Sequence, residues 1–128
     1  MHNEQDLVGK TVGVTIGSTG AEAAHKMEGV NIREYSTLAD AFLDLHNGGI
    51  DAVVNDIPTN EYFVVNKGHD FAKTVDTALN TEELAIAVKK DNKELLTKIN
   101  NGLSNIKKNG EYAKLYKKWF GKEPPQEK

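Results

Sequence analysis

The sequence predicts an α/β fold, a three-layer, mostly parallel sheet with helices on both faces. Short apolar runs of strand length alternate with segments of helical spacing, in the order β-α-β-α-β-α-β. That alternation implies parallel strands joined by right-handed crossovers. Glycine or proline punctuates the junctions, at Gly17, Gly20, Gly29, Gly48, Gly49, Pro58 and Gly68. The third run, Ile50-Asp51-Ala52-Val53-Val54-Asn55, is apolar enough to be a central strand buried on both faces.

Taken in order, residues 1–9 read as a linker or cut end, polar except for Leu7 and Val8. Residues 10–15 form the first strand, followed by the Gly17-Ser18-Thr19-Gly20 turn and a helix to about Met27. Gly29 suits a left-handed helix end. A second strand covers 31–35. Ser36 or Thr37 can cap the next helix, with Asp40 three residues after Thr37 as in a capping box; that helix carries Leu38, Ala41, Phe42 and Leu45 and is stopped by Asn47-Gly48-Gly49. After the third strand, Asp56-Ile57-Pro58 opens a helix that runs to Gly68, since proline is best tolerated in the first turn. Residues 71–75 and 82–89 read as a fourth and fifth strand. Asp91-Asn92 then caps a long helix with Leu95, Leu96, Ile99, Leu103 and Ile106 on one face, broken at Asn109-Gly110. A last helix, 111–120, places Tyr112, Leu115, Tyr116 and Trp119 at i, i+3, i+4 and i+7, a stripe expected to be core. The end, 122–128, is expected to fray.

With 128 residues, one domain-sized unit fits the chain. Apolar content of 38% and charged content of 27% belong to a globular protein. No apolar run approaches the roughly 18–20 residues that span a bilayer, and no signal-peptide core is present. A secreted protein would be seen here in trimmed form. Without cysteine there is neither disulfide nor thiolate chemistry. The net charge of −3 is unevenly spread. Residues 1–88 carry 5 Lys/Arg against 14 Asp/Glu, and residues 89–128 carry 11 Lys against 5 Asp/Glu. The basic end reads as solvated faces of amphipathic helices, not as a nucleic-acid surface. The four histidines, His2, His25, His46 and His69, show no metal-ligand spacing. No nucleophile elbow or Ser/His/Asp pairing is evident, so the expectation is a non-enzyme with no cofactor.

In open parallel sheets the site lies beyond the C-terminal strand ends, where strand order reverses. Two places meet that description: the turn formed by Ile16, Gly17, Ser18, Thr19 and Gly20, and the Asn55-Asp56 pair. The turn offers N–H donors and hydroxyls to an anion at a helix N-terminus. Asp56 offers a carboxylate to a cation. A free α-amino acid carries both charges at once. The plainer roles are turn chemistry and capping for Ser18 and Thr19, and N-capping of the Pro58 helix for Asp56. Capping and ligand binding do not exclude each other.

Several stretches resemble the second lobe of bacterial polar-amino-acid binding proteins, the periplasmic (type II) solute receptors of ABC importers. They are Asp6-Leu7-Val8-Gly9-Lys10-Thr11-Val12-Gly13-Val14 with Gly17-Ser18-Thr19-Gly20, and Leu38-Ala39-Asp40-Ala41-Phe42 leading to Gly48-Gly49-Ile50-Asp51-Ala52-Val53-Val54-Asn55-Asp56-Ile57-Pro58. Ala85-Ile86-Ala87-Val88-Lys89-Lys90-Asp91-Asn92 resembles the family's return strand. Gly110-Glu111-Tyr112 with Tyr116-Lys117-Lys118-Trp119-Phe120-Gly121 resembles its C-terminal helix. The glutamine and basic-amino-acid types are the nearest in character. The resemblance implies a flavodoxin-like lobe at 10–84 and a return strand with two helices at 85–121. It implies a ligand α-carboxylate on the Ser18-Thr19 turn, the α-ammonium on Asp56, and Asn55 and Thr15 near the ligand side chain. It also implies a membrane permease as partner and an extracytoplasmic parent protein.

Two departures stand out. The family's first lobe has no counterpart here, and Leu84-Ala85 stands where relatives often carry Tyr-Gly. An isolated lobe is expected to bind a polar amino acid weakly or not at all. Residues 84–120, which in relatives pack on the first lobe, are expected to fold back on this chain's own sheet or to swap into a second copy as a homodimer. The alternative function is a flavodoxin-like FMN-binding electron-transfer domain, because Gly17–Glu22 also resembles an FMN-phosphate loop. No aromatic residue follows the third strand to stack on a flavin. A phosphorylated receiver would need an acidic pair after the first strand, where Thr15-Ile16-Gly17 stands.

Overall fold

The computed structural model describes residues 3–75 and 77–125. Residues 126–128 of the expected frayed tail, and residues 1–2 of the expected linker, lie outside the described residues. The chain divides into two compact units, Met1–Thr81 and Glu82–Lys128.

The first unit is built on three parallel strands in the order β2-β1-β3. They are β1 (Thr11–Thr15), β2 (Asn31–Tyr35) and β3 (Ala52–Val53). Helices α1 (Thr19–His25), α2 (Leu38–His46) and α3 (Ile57–Phe63) connect or follow them. Thr11 to Thr15 register with Asn31 to Tyr35, and Val12 and Gly13 with Ala52 and Val53. Alternation along β1 puts α1 and α2 on opposite faces. Val12 and Val14, both fully buried, cluster with Ala21 and Ala24 of α1. Gly13 between them points at Ala41 of α2, Ile50 and Tyr35. The three-layer arrangement follows.

Three strand expectations are corrected. The buried central strand is β1, while β3 lies at an edge with its two residues half-buried. Its hydrogen bonding nevertheless extends a residue either way, through Asp51 N–H to Thr11 O and Val54 N–H to Gly13 O. Residues 71–75 form no strand, because the N–H groups of Phe71 and Ala72 both turn back to Gly68 O. Residues 82–89 form none either, since among the described residues no strand pairs with them, and a strand exists only through its ladder. Within the segment read as a linker, Glu4–Leu7 makes a 3₁₀ turn capped by Asn3, and Leu7 joins the core.

The helix boundaries follow local chemistry. Thr37 Oγ1 accepts from Asp40 N–H at 3.2 Å and donates to the Asp40 carboxylate at 2.7 Å. α3 gives way to a π-helical turn at Val64–Gly68, and Phe63 just before it stacks on Phe42 with centroids 3.6 Å apart and meets the Phe71 edge at 6.0 Å.

A polar latch fastens α2 to β2. The Asp44 carboxylate accepts from Arg33 Nη1 at 2.7 Å and from the Tyr35 hydroxyl at 2.5 Å, and Arg33 also donates to Gly49 O at 3.2 Å. Hydrogen bonds from Tyr35 and then Arg33 hold the Asp44 carboxyl below its ordinary value. Burial and the bond to Asp44 raise Tyr35, and the bond to Asp44 raises Arg33. A carboxyl whose pKa is depressed on folding contributes stability above its unfolded pKa, about 3.9, and loses it as pH falls through the folded value. In urea titrations the advantage of the parent over Asp44→Asn is therefore expected to be constant near neutrality and to shrink progressively below about pH 4. An advantage independent of pH would contradict the latch.

The second unit contains α4 (Lys93–Lys108) and α5 (Glu111–Phe120), which lie against each other. Asn92 Oδ1 caps α4 by accepting from Leu95 N–H at 3.0 Å. Gly110 and Gly121, at φ +84° and +76°, begin and end α5 in the left-handed region. Neither helix buries a residue, so the stripe expected as core stands partly in solvent: Tyr112 and Tyr116 are half-buried and Trp119 is 44% exposed. Tyr112, Tyr116 and Phe120 instead line up with ring centroids 6.0 and 4.6 Å apart.

Candidate functional site

The site is built where β1 and β3 end side by side. After β1 the chain makes a four-residue turn closed by Ser18 N–H on Thr15 O at 3.2 Å. Gly17 holds φ +70° at its third position, which fits a type II turn and needs glycine. Ser18 then caps α1. Its Oγ accepts from Ala21 N–H at 3.0 Å and donates to Thr15 O at 2.8 Å. Both roles of the hydroxyl are thus engaged in shaping the turn, and the plainer reading of Ser18 as a cap is realised. Helical bonding begins at Glu22 N–H to Ser18 O, so the amides of Thr19 and Gly20 precede it in the first turn.

The loop after β3 comes up against this turn. A Cβ on Gly20 would lie 3.2 Å from Val54 O and 3.6 Å from Asn55 Cα. Glycine at position 20 is what lets the two loops touch. Asn55 is half-buried, and its carbonyl accepts from Asn60 Nδ2 at 3.4 Å. Asp56 occupies the N-cap position of α3, with Pro58 in the first turn. Its side chain, however, makes no capping hydrogen bond and is exposed. The cap is formal only, and the carboxylate is left available to another partner.

The structure therefore brings Thr15, Ser18, Gly20 and Asn55 into one contiguous rim, with Gly17 and Thr19 in the same turn and Asp56 next along from Asn55. Asn60 was not legible as part of it. Its signal, an amide side chain one turn into the helix after the loop, is shared by many ordinary helix residues. Among the described residues no group of three or more His, Asp or Glu could hold a metal ion, and no helix is long and apolar enough to cross a membrane. Removing the Ser18 hydroxyl by Ser18→Ala is expected to cost about 1 kcal/mol in a urea titration, the usual loss for an N-cap. A change within about 0.3 kcal/mol would show that the turn holds without it.

Comparison with known proteins gives the chain a family. The family model of the bacterial extracellular solute-binding proteins, family 3, matches residues 4–122. The ABC transporter arginine-binding protein 1 of Escherichia coli (strain K12) is 38% identical over 119 residues, covering 90% of this chain and 49% of its own length. The chain spans about half the length of the curated relatives it matches. Among solved structures, an ancestral cationic amino acid solute-binding protein superposes with a TM-score of 0.80 at 34% identity, over 94% of this chain and 52% of its own. The crystal structure of domain 2 from TmArgBP superposes with a TM-score of 0.54 at 38% identity, over 61% of this chain and 82% of its own. On this evidence the chain belongs to the bacterial extracellular solute-binding proteins, family 3.

Proposed function

We propose that the first unit is the second lobe of an amino-acid receptor of an ABC importer, and that its rim holds the ligand backbone without catalysing any reaction. The amides of Thr19 and Gly20, in the turn that Ser18 shapes, receive the α-carboxylate, and Asp56 receives the α-ammonium. Thr15, Gly17 and Asn55 complete the floor. The observation that carries this reading is the Asp56 carboxylate, which sits at a helix N-cap without capping it, beside a loop that touches the anion turn. The name of the arginine-binding relative and the cationic-amino-acid neighbour favour a basic ligand, with glutamine as the other polar class that the sequence suggested. Contacts from one lobe cannot exclude water from both sides of the ligand, so affinity is expected to be low, in the millimolar range or weaker. Two-lobe relatives suggest an extracytoplasmic location and a membrane permease as partner for a longer form of the protein.

An amide NMR titration tests the assignment. Arginine and glutamine are expected to shift residues 15–20 and 55–58, with glutamate and histidine weaker. Shifts confined to other residues would overturn it.

A further inference from the structure

Asn60 is a local irregularity that neither helix chemistry nor packing accounts for. It lies one turn into α3, where its own N–H bonds to Asp56 O at 3.0 Å in the ordinary helical way. Its side-chain amide reaches back to Asn55 O at 3.4 Å, a long bond at the edge of the acceptable range. Its Oδ1 is shut off from solvent and meets no donor among the described residues. A buried acceptor without a donor costs free energy, while an apolar side chain of the same shape would cost nothing. Leucine is close to that shape. Leucine would relieve the unpaired Oδ1 and forfeit the long bond to Asn55 O, so on stability the two residues come out close.

What the amide does is local. It spans the loop from the inside, fixing Asn55 at one end while the helix backbone of the same residue fixes Asp56 at the other. Asn55 and Asp56 are thereby tied to a single residue of α3, next to the point where Gly20 touches Asn55. We infer that Asn60 is a positioning residue, whose side chain sets the Asn55-Asp56 loop so that the Asp56 carboxylate is presented to the ligand ammonium. The inference rests on the reading of Asp56 as the ammonium acceptor. Local destabilisation in exchange for a fixed functional geometry is a general pattern of binding sites.

A double-mutant cycle tests it, using Asn60→Leu, Asp56→Asn and the pair, with arginine affinity from amide NMR titration and stability from urea unfolding. Asn60→Leu is expected to stay within about 1 kcal/mol of the parent in stability, yet to bind arginine about fivefold more weakly, the size of one hydrogen bond. In the Asp56→Asn background the same change is expected to have no further effect on affinity. Unchanged affinity in Asn60→Leu overturns the inference and leaves the Asp56 assignment standing. An equal loss in both backgrounds, or a loss that tracks falling stability, also overturns it by showing a merely structural role. If arginine leaves residues 55–58 of the parent unshifted, the Asp56 assignment falls and takes this inference with it.

Discussion

Gly13→Val is expected to lower the stability of the first unit by about 3 kcal/mol, moving the urea midpoint down by about 1–3 M. Gly13 sits at the centre of the middle strand, and even a methyl there would lie 2.6 Å from Ile50 Cδ1 and 3.0 Å from Tyr35 Cε2. Ile50 is only 4% exposed, so its side chain has no solvent to move into. Valine would push α2 off the sheet, and Tyr35 with it, which also strains the bond from Tyr35 to Asp44. The same kind of change in the other unit has the opposite sign. Gly102 lies inside α4 with nothing within 4 Å of its Cβ position, so Gly102→Ala is expected to raise helix stability by about 0.5–1 kcal/mol. Urea unfolding followed by circular dichroism measures both, and a neutral Gly13→Val would mean that the α2 layer packs more loosely than described.

The second large effect is on binding. Asp56→Asn is expected to weaken arginine affinity about tenfold, equivalent to about 1.4 kcal/mol, by removing one charge-assisted hydrogen bond at an exposed rim. Exposure argues against a larger figure, because solvent and salt screen the pair. Stability is expected to stay within about 0.5 kcal/mol, since the carboxylate makes no capping bond and asparagine is an equally good N-cap residue. Raising salt should weaken arginine binding to the parent more than to the variant. Equal affinities for the two proteins would show that the ammonium sits elsewhere.

Features determined by neighbours in sequence were legible in the sequence. α5 occupies 111–120 as its spacing and flanking glycines indicated, and the Thr37 cap and the left-handed Gly29 stand as expected, with the Asp40 carboxylate accepting from the Thr37 hydroxyl. The meeting of the Gly17–Gly20 turn with the Asn55 loop was legible for a related reason: both are local signals at strand ends, and the topology of a parallel sheet supplies their juxtaposition. Features that depend on remote partners were not. Residues 82–89 carry a strand-like pattern, but a strand needs a neighbour, and pattern alone cannot supply one. The Arg33–Tyr35–Asp44 latch joins residues whose identities are each unremarkable in isolation. Leu7 was hidden by its polar neighbours, although it is buried in the core.

The π-helical turn at Val64–Gly68 carries a consequence for chain length. Such a turn holds one residue more than an α-helical path would, and each residue of an α-helix advances the chain by about 100°. Deleting one of these five residues would let α3 continue with α-helical bonding and leave the chain after it close to its present direction. Phe71 would then stay near the edge of Phe63 and the neighbouring ring of His46, which it meets at 4.3 Å. A deletion within the preceding α-helical turns has no such surplus to draw on, and would turn the rest of the chain by about 100°.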